Sequence, residues 1–212
     1  MKITIIYDNV AWDNDLIADW GFSCLIEADG KNILFDTGAK GHILLDNMKK
    51  LGIDPMAVDE VFISHAHWDH IGGLSNFLAI NPVRVYIPSS CPEPEGANEV
   101  IKVDAPLIIH ENIFSTGEIS NIEQSLIIKQ DSRLVLIVGC SHPGVRNILK
   151  EASRNGKVNA LIGGLHGFNE FGLIEGIQSV CPTHCTQFIQ QIKDLYPDKY
   201  IEGGAGKVIE FL

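Results

Sequence analysis

No stretch of this chain stays apolar for the roughly 18 residues that a membrane-crossing helix needs. Its opening, "MKITIIYDN", alternates like a strand and lacks a basic region followed by an apolar one. The expectation is a cytoplasmic protein that does not engage membranes. Cysteine is scarce: Cys24, Cys91, Cys140, Cys181 and Cys185 form an odd set without a Cys-x-x-Cys pair, which argues against a disulfide framework or a thiol-paired zinc knuckle. Clustered basic residues are missing as well. With 16 Lys and Arg against 27 Asp and Glu, the net charge of -11 repels polyanions, so nucleic acid is not an expected partner. Low-complexity tracts, solenoid repeats and a convincing domain boundary are also absent, and residues 1–212, 45% of them hydrophobic, are read as one domain able to bury its own core.

The pattern along the chain is that of a mixed α/β protein. Residues 3–7, 22–28 and 32–36 read as strands, with Asp29 and Gly30 turning the second into the third, so the chain opens as an antiparallel meander. "GHILLDNMKKLG" has the spacing of an amphipathic helix closed by Gly52, and "VFISH" is a short buried strand. Further on, the apolar runs "LVLIVGCSH", "VNALIGGLHG" and "GIQSVCPTH" alternate with the helical segments "PGVRNILKEA" and "CTQFIQQIKDLY". Pro143 suits a first helical position, and Ser141 and Thr183 suit caps. "KVIEFL" reads as a last strand, and residues 88–98 as an exposed loop.

Six of the eight histidines follow an apolar run. "ILFD" ends on Asp36; "VFIS" is followed by His65, His67, Asp69 and His70; the later runs lead to His142, His166 and His184. Ligands of α/β sheets bind beyond the carboxyl ends of strands, so segments far apart in sequence can converge on one edge. Imidazole and carboxylate suit zinc, manganese or iron, and a loop with three His and one Asp within six residues can direct ligands toward two metals.

The strings "FDTG", "SHAHWDHIGG", "GCSHPG" and "PTHC", in this order across residues 33–185, resemble the metallo-β-lactamase superfamily. Together with "DN", "GFSCLIE", "GGLHG", "CPTHCT" and "GAGKVIEF", they are most similar to the subgroup of archaeal dihydropterin and ribofuranosylaminobenzene 5'-phosphate synthase-like proteins. The resemblance implies an αββα four-layer sandwich with a dinuclear metal site at one edge. By position it implies His65, His67 and His142 around one metal and Asp69, His70 and His184 around the other, with Asp36 fixing a histidine ring. The superfamily's bridging carboxylate is expected after the strand that follows His142, where this chain has His166. A single imidazole nitrogen cannot bridge two metals, so His166 is either a terminal ligand or a substrate-facing acid or donor.

The chemistry expected is hydrolysis by metal-bound hydroxide, with one or two Zn2+ per chain as the first choice and Mn2+ or Fe2+ as alternatives. Asp69 and His166 are the catalytic residues. Helix starts after His142 and His184 would favour a small substrate bearing phosphate or carboxylate. The alternatives are a pterin-type synthase on the same site and a non-catalytic metal- or ligand-binding protein. Trp68 is read as packing on the sheet, and Cys140, Cys181 and Cys185 as walls of the site.

Overall fold

The structure is a computed structural model and describes residues 1–211. The chain runs β1 (Lys2–Tyr7), β2 (Ser23–Ala28), β3 (Lys31–Phe35), α1 (Gly41–Lys50), β4 (Glu60–Phe62), α2 (Trp68–Ile71), α3 (Leu74–Leu78), β5 (Arg84–Pro88) and β6 (Glu99–Val103). It continues through β7 (Leu107–His110), β8 (Ile113–Ser115), β9 (Leu126–Gln130), β10 (Arg133–Val138), α4 (Val145–Ala152), β11 (Val158–Gly164), β12 (Ser179–Thr183), α5 (Ile189–Leu195) and β13 (Val208–Glu210). Asp29 and Gly30 both take positive φ, as a two-residue hairpin between β2 and β3 requires.

Two sheets result. One has the strand order β13-β1-β2-β3-β4-β5-β6, the other β12-β11-β10-β9-β8-β7. Alternation of side chains along each strand gives each sheet an inner and an outer apolar face. The inner faces meet in a core that includes Ile3, Ile5, Phe22, Phe35, Phe62, Ile137 and Ile162. Phe35 stacks on Phe62 at 5.5 Å and meets Phe22 edge-on. The outer face of the first sheet is covered by Ile43, Leu44 and Met48 of α1 with Leu74, Phe77 and Leu78 of α3. On the second sheet, Val145 and Ile148 of α4 and Ile192 of α5 do the same. Each such side chain contributes roughly 1.5–3 kcal/mol when it leaves water. The result is the four-layer αββα sandwich that the sequence led us to expect.

Several local expectations fail for identifiable reasons. Pro143 stands before α4, which begins at Val145 with Gly144 (φ 86°) as its N-cap residue. Ser141 caps nothing, because its hydroxyl donates to the Gly164 carbonyl. Helix α5 begins only at Ile189, so neither Thr183 nor His184 adjoins its start. Strands β6 and β7 left little signal, because both are half-exposed, which breaks the clean apolar runs that marked the buried strands.

Strand direction positions the site. β3 pairs parallel with β4, and β10, β11 and β12 are mutually parallel, so their carboxyl ends lie on a common edge. β1 runs antiparallel to β2 and β2 to β3, which brings the end of β1 to that edge too. Asp36, Ser141, His166 and His184 all take positive φ there, a conformation costly for residues other than glycine. The chain turns sharply as it leaves these strands, and the turns direct side chains into one space.

Candidate metal centre

His65 lies three residues beyond β4 and is fully buried; His67 precedes α2 and is exposed; Asp69 and His70 lie within α2 and are buried. The His65 ring is 4.5 Å from that of His67 and 4.9 Å from that of His142, centre to centre, and His67 and His142 are 4.6 Å apart. On the other side His70 and His184 are 5.0 Å apart, and the Nε2 of His184 is 3.3 Å from Asp69 Oδ2. The structure therefore gathers six of the expected positions into one cluster. His166 lies at the rim: it is exposed, its ring is 5.0 Å from that of His142, and it belongs to neither group of closely spaced ligand atoms among the described residues.

The hydrogen-bond network sets where the protons sit. Asp36, fully buried at the end of β3, accepts from the Ser64 amide, the Ser64 hydroxyl and His70 Nδ1, each at 2.7 Å. Burial pushes the Asp36 carboxyl up, and the two hydrogen bonds from Ser64 pull it back down. As the carboxylate that these three contacts accommodate it only accepts, so His70 carries its proton on Nδ1 and turns the Nε2 lone pair to the site. The Ser64 hydroxyl hydrogen is used by Asp36, so the 2.9 Å contact from His65 Nδ1 to Ser64 Oγ has the ring as donor. Its Nε2 is then also a lone pair. Asn9 does the same for His184: its Oδ1 accepts from His184 Nδ1 at 2.9 Å while its amide group donates to the His184 carbonyl.

Three of these nitrogens, the Nε2 atoms of His65, His142 and His184, are buried without a hydrogen-bond partner. Burial, together with repulsion from neighbouring imidazoles, lowers the pKa of His65 and His70 far below the usual histidine range and that of His142 to about 4. The rings of His65, His70 and His142 are thus neutral lone-pair donors at neutral pH. Burial works against ionisation of Asp69, but His184 and His70 outweigh it and hold the carboxyl below its ordinary range. Orphaned nitrogens beside an ionised carboxylate fit a divalent cation, since burying such groups unpaired is otherwise costly.

Cys140 lies closer in than expected. Its Sγ belongs with His65 and His142 to one set of ligand atoms mutually within 4.8 Å, and with His70 and His184 to a second such set. It is 3.1 Å from His70 Nε2. The close approach depends on glycines: a Cβ on Gly139 would meet Ser64 Oγ at 2.2 Å, and one on Gly164 would meet the Gly139 carbonyl at 2.4 Å. That explains the paired glycines in "LIGGLHG", since β11 passes directly against the loop that carries Cys140 and His142.

Four further groups escaped the sequence reading. Glu123, fully buried, accepts from the amides of Gly139, Cys140 and Ser141 through Oε1 and from that of His142 through Oε2. It moulds the loop bearing two site residues, although burial pushes its pKa up to about 7. Asp8 accepts from the His184 amide, and Asn9 orients the His184 ring. Only the "DN" string hinted at this pair. Trp20 donates from Nε1 to Asp69 Oδ2 at 2.8 Å and meets the His184 ring edge-on. Trp68 is 62% exposed, so it does not pack on the sheet as expected but leaves an aromatic face beside the motif.

Comparison with known proteins agrees with this architecture. The family model described as "Metallo-beta-lactamase superfamily" matches residues 21–113. A curated relative from Methanocaldococcus jannaschii, named 7,8-dihydropterin-6-methyl-4-(beta-D-ribofuranosyl)-aminobenzene-5'-phosphate synthase, is 28% identical over 98% of this chain and 95% of its own length. A solved structure described as a metal-dependent hydrolase of the beta-lactamase superfamily superposes with TM-score 0.80 at 25% identity, covering 100% of this chain and 99% of the other. Zn(2+)-bound PqqB from Methylobacterium extorquens shares the fold at TM-score 0.66 and 11% identity, with both chains covered in full.

Proposed function

We propose that this metallo-β-lactamase-fold protein is a metal-dependent hydrolase acting on a small substrate that bears a phosphate or carboxylate. The observation that carries the reading is the set of three buried, unpartnered imidazole nitrogens, those of His65 and His142 in one group and that of His184 in the other, the last beside an ionised Asp69. His65, His67 and His142 would hold one divalent ion and Asp69, His70 and His184 a second, with Zn2+ the best match to a nitrogen-rich set. A bound ion of this kind supplies a water acidic enough to act as nucleophile near neutral pH and polarises the bond under attack.

The protein's own part is positioning and proton handling. Asp36 and Asn9 hold the rings in the tautomer that presents Nε2. Trp20 fixes the Asp69 carboxylate, which orients the attacking water and takes its proton. His166, exposed on the open side, faces the substrate as acid or hydrogen-bond donor. Helix α4 begins beside His142 without a side-chain cap, and its free amides suit an anionic group. Trp20 and Trp68 offer flat apolar surface for the remainder of the substrate. Among the described residues no helix is long and apolar enough to cross a membrane.

The test is turnover of phosphodiesters, phosphate esters and thioesters by the metal-loaded protein and by its Asp69→Asn and His142→Ala variants. Loss of at least a hundredfold in both supports the reading; unchanged turnover in either variant sinks it. A second reading, a synthase on the same centre, is favoured by the near full-length match to the archaeal synthase. That alignment spans 282 positions against the 212 residues here, so the relative carries insertions absent from this chain. A rise in melting temperature with a pterin or a ribosyl-aminobenzene phosphate would favour the synthase. No shift with either compound would leave the hydrolase.

A further inference from the structure

We infer that Cys140 is a metal ligand shared by both halves of the centre, its sulfur standing where a bridging carboxylate would otherwise stand. The inference rests on the proposed metal-dependent chemistry and assigns a residue to it. Cys140 Sγ is common to the two sets of ligand atoms, His65 and His142 on one side, His70 and His184 on the other, each set mutually within 4.8 Å. Three of the four imidazoles present a buried Nε2 without a partner, and the fourth, His70, is 3.1 Å from the sulfur. Because His70 gives its only ring proton to Asp36, the thiol hydrogen must lie between sulfur and His70 Nε2. A metal ion there takes the place of that hydrogen, which leaves as a proton to solvent.

The fold holds the sulfur in this place. Glu123 gathers the amides of residues 139–142, and the absence of a side chain on Gly139 lets the loop lie against Ser64 and His65. His166 does not compete for the shared position, since it is exposed and belongs to neither of the two sets of ligand atoms. A thiolate also returns the negative charge that a His in place of a carboxylate would forfeit. Its softness favours zinc or iron over manganese or magnesium.

The decisive measurement is X-ray absorption on reduced, zinc-loaded wild-type protein of known metal content. One shared sulfur gives, at two zincs per chain, an average of about one sulfur per zinc near 2.3 Å. A second arm uses cobalt(II): the near-ultraviolet thiolate-to-cobalt band should vanish in Cys140→Ser and in Cys140→Asp and persist in Cys185→Ser. Two zincs with no sulfur neighbour, or with only half a sulfur per zinc, would overturn the assignment while leaving the hydrolase reading intact. So would a band that follows Cys185 instead. Failure to bind metal at all would remove both. The wild-type spectrum decides the question even if the Cys140 variants do not fold.

Discussion

Replacing Asp36 by Asn separates charge and proton placement from shape. Asn matches the carboxylate in volume and tolerates the left-handed φ of 53° found at this position, so the backbone has no reason to move. What changes is the proton inventory. Asn Oδ1 can still accept from the Ser64 amide, but its Nδ2 now donates where the carboxylate accepted. His70 Nδ1 must become an acceptor, which sends the ring proton to Nε2 and into the ligand position. Ser64, receiving a hydrogen from Nδ2, is free to donate its own to His65 Nδ1, and the second ring follows. Three hydrogen bonds weaken from charge-assisted to neutral, about 1 kcal/mol each, offset in part by no longer burying a charge. The net loss in stability should be about 1–3 kcal/mol. Metal affinity should fall by about 10- to 100-fold, the usual cost of losing a carboxylate that orients a ligand. Competition against a chelator of known affinity measures the second quantity, chemical denaturation the first, and nitrogen-15 shifts of the metal-free protein report the tautomers. Wild-type affinity in Asp36→Asn, or His70 still protonated on Nδ1, would refute the reasoning.

Removing Glu123 by Ala should leave four amides, three of them buried, without an acceptor; at about 1–3 kcal/mol for each unsatisfied buried group, with partial relaxation, we expect a loss of at least about 3 kcal/mol in urea unfolding. A cost below about 1 kcal/mol would mean the loop holds itself. The metal-free protein should lose stability as pH falls from about 4 toward 2. Between about pH 6.5 and 4 the depressed pKa values of His65, His70 and His142 favour the unfolded chain on acidification, but the buried Asp8, Asp36 and Glu123, whose pKa values are raised, take up protons on folding and offset them. Below about 4 these carboxyls are protonated in both states, and the far-depressed His65 and His70, with Asp69, favour the unfolded chain by on the order of 1 kcal/mol per pH unit each. Melting temperatures across this range check it, and a flat profile would contradict it. Trp20→Phe keeps the ring but deletes the hydrogen bond to Asp69; turnover should drop by about tenfold with little change in melting temperature. Unaltered turnover would show that Asp69 is positioned without Trp20.

The alternation of apolar runs with helical segments, and the habit of placing a histidine or aspartate where an apolar run stops, were legible in one dimension. A strand terminates where its periodicity does, and parallel strands share an edge, so Asp36, His65, His142 and His184 could be assigned to a common region from spacing alone. Distances within that region are another matter. Which nitrogen faces inward depends on acceptors from remote segments: Asp36 for His70, Asn9 for His184, Ser64 for His65. Glu123 and Trp20 reach the site from loops with no periodic signal of their own. Cys140 and His166 both follow an apolar run, and the string does not say which reaches the centre. The packing of two twisted sheets, and glycines that admit backbone contact at Gly139 and Gly164, put the sulfur among four imidazoles and leave the histidine at the rim. Sequence order determined the chemical types at the edge; only the folded contacts decided which atoms meet, because separations of a few ångströms between segments a hundred residues apart are set by packing, not by spacing along the chain.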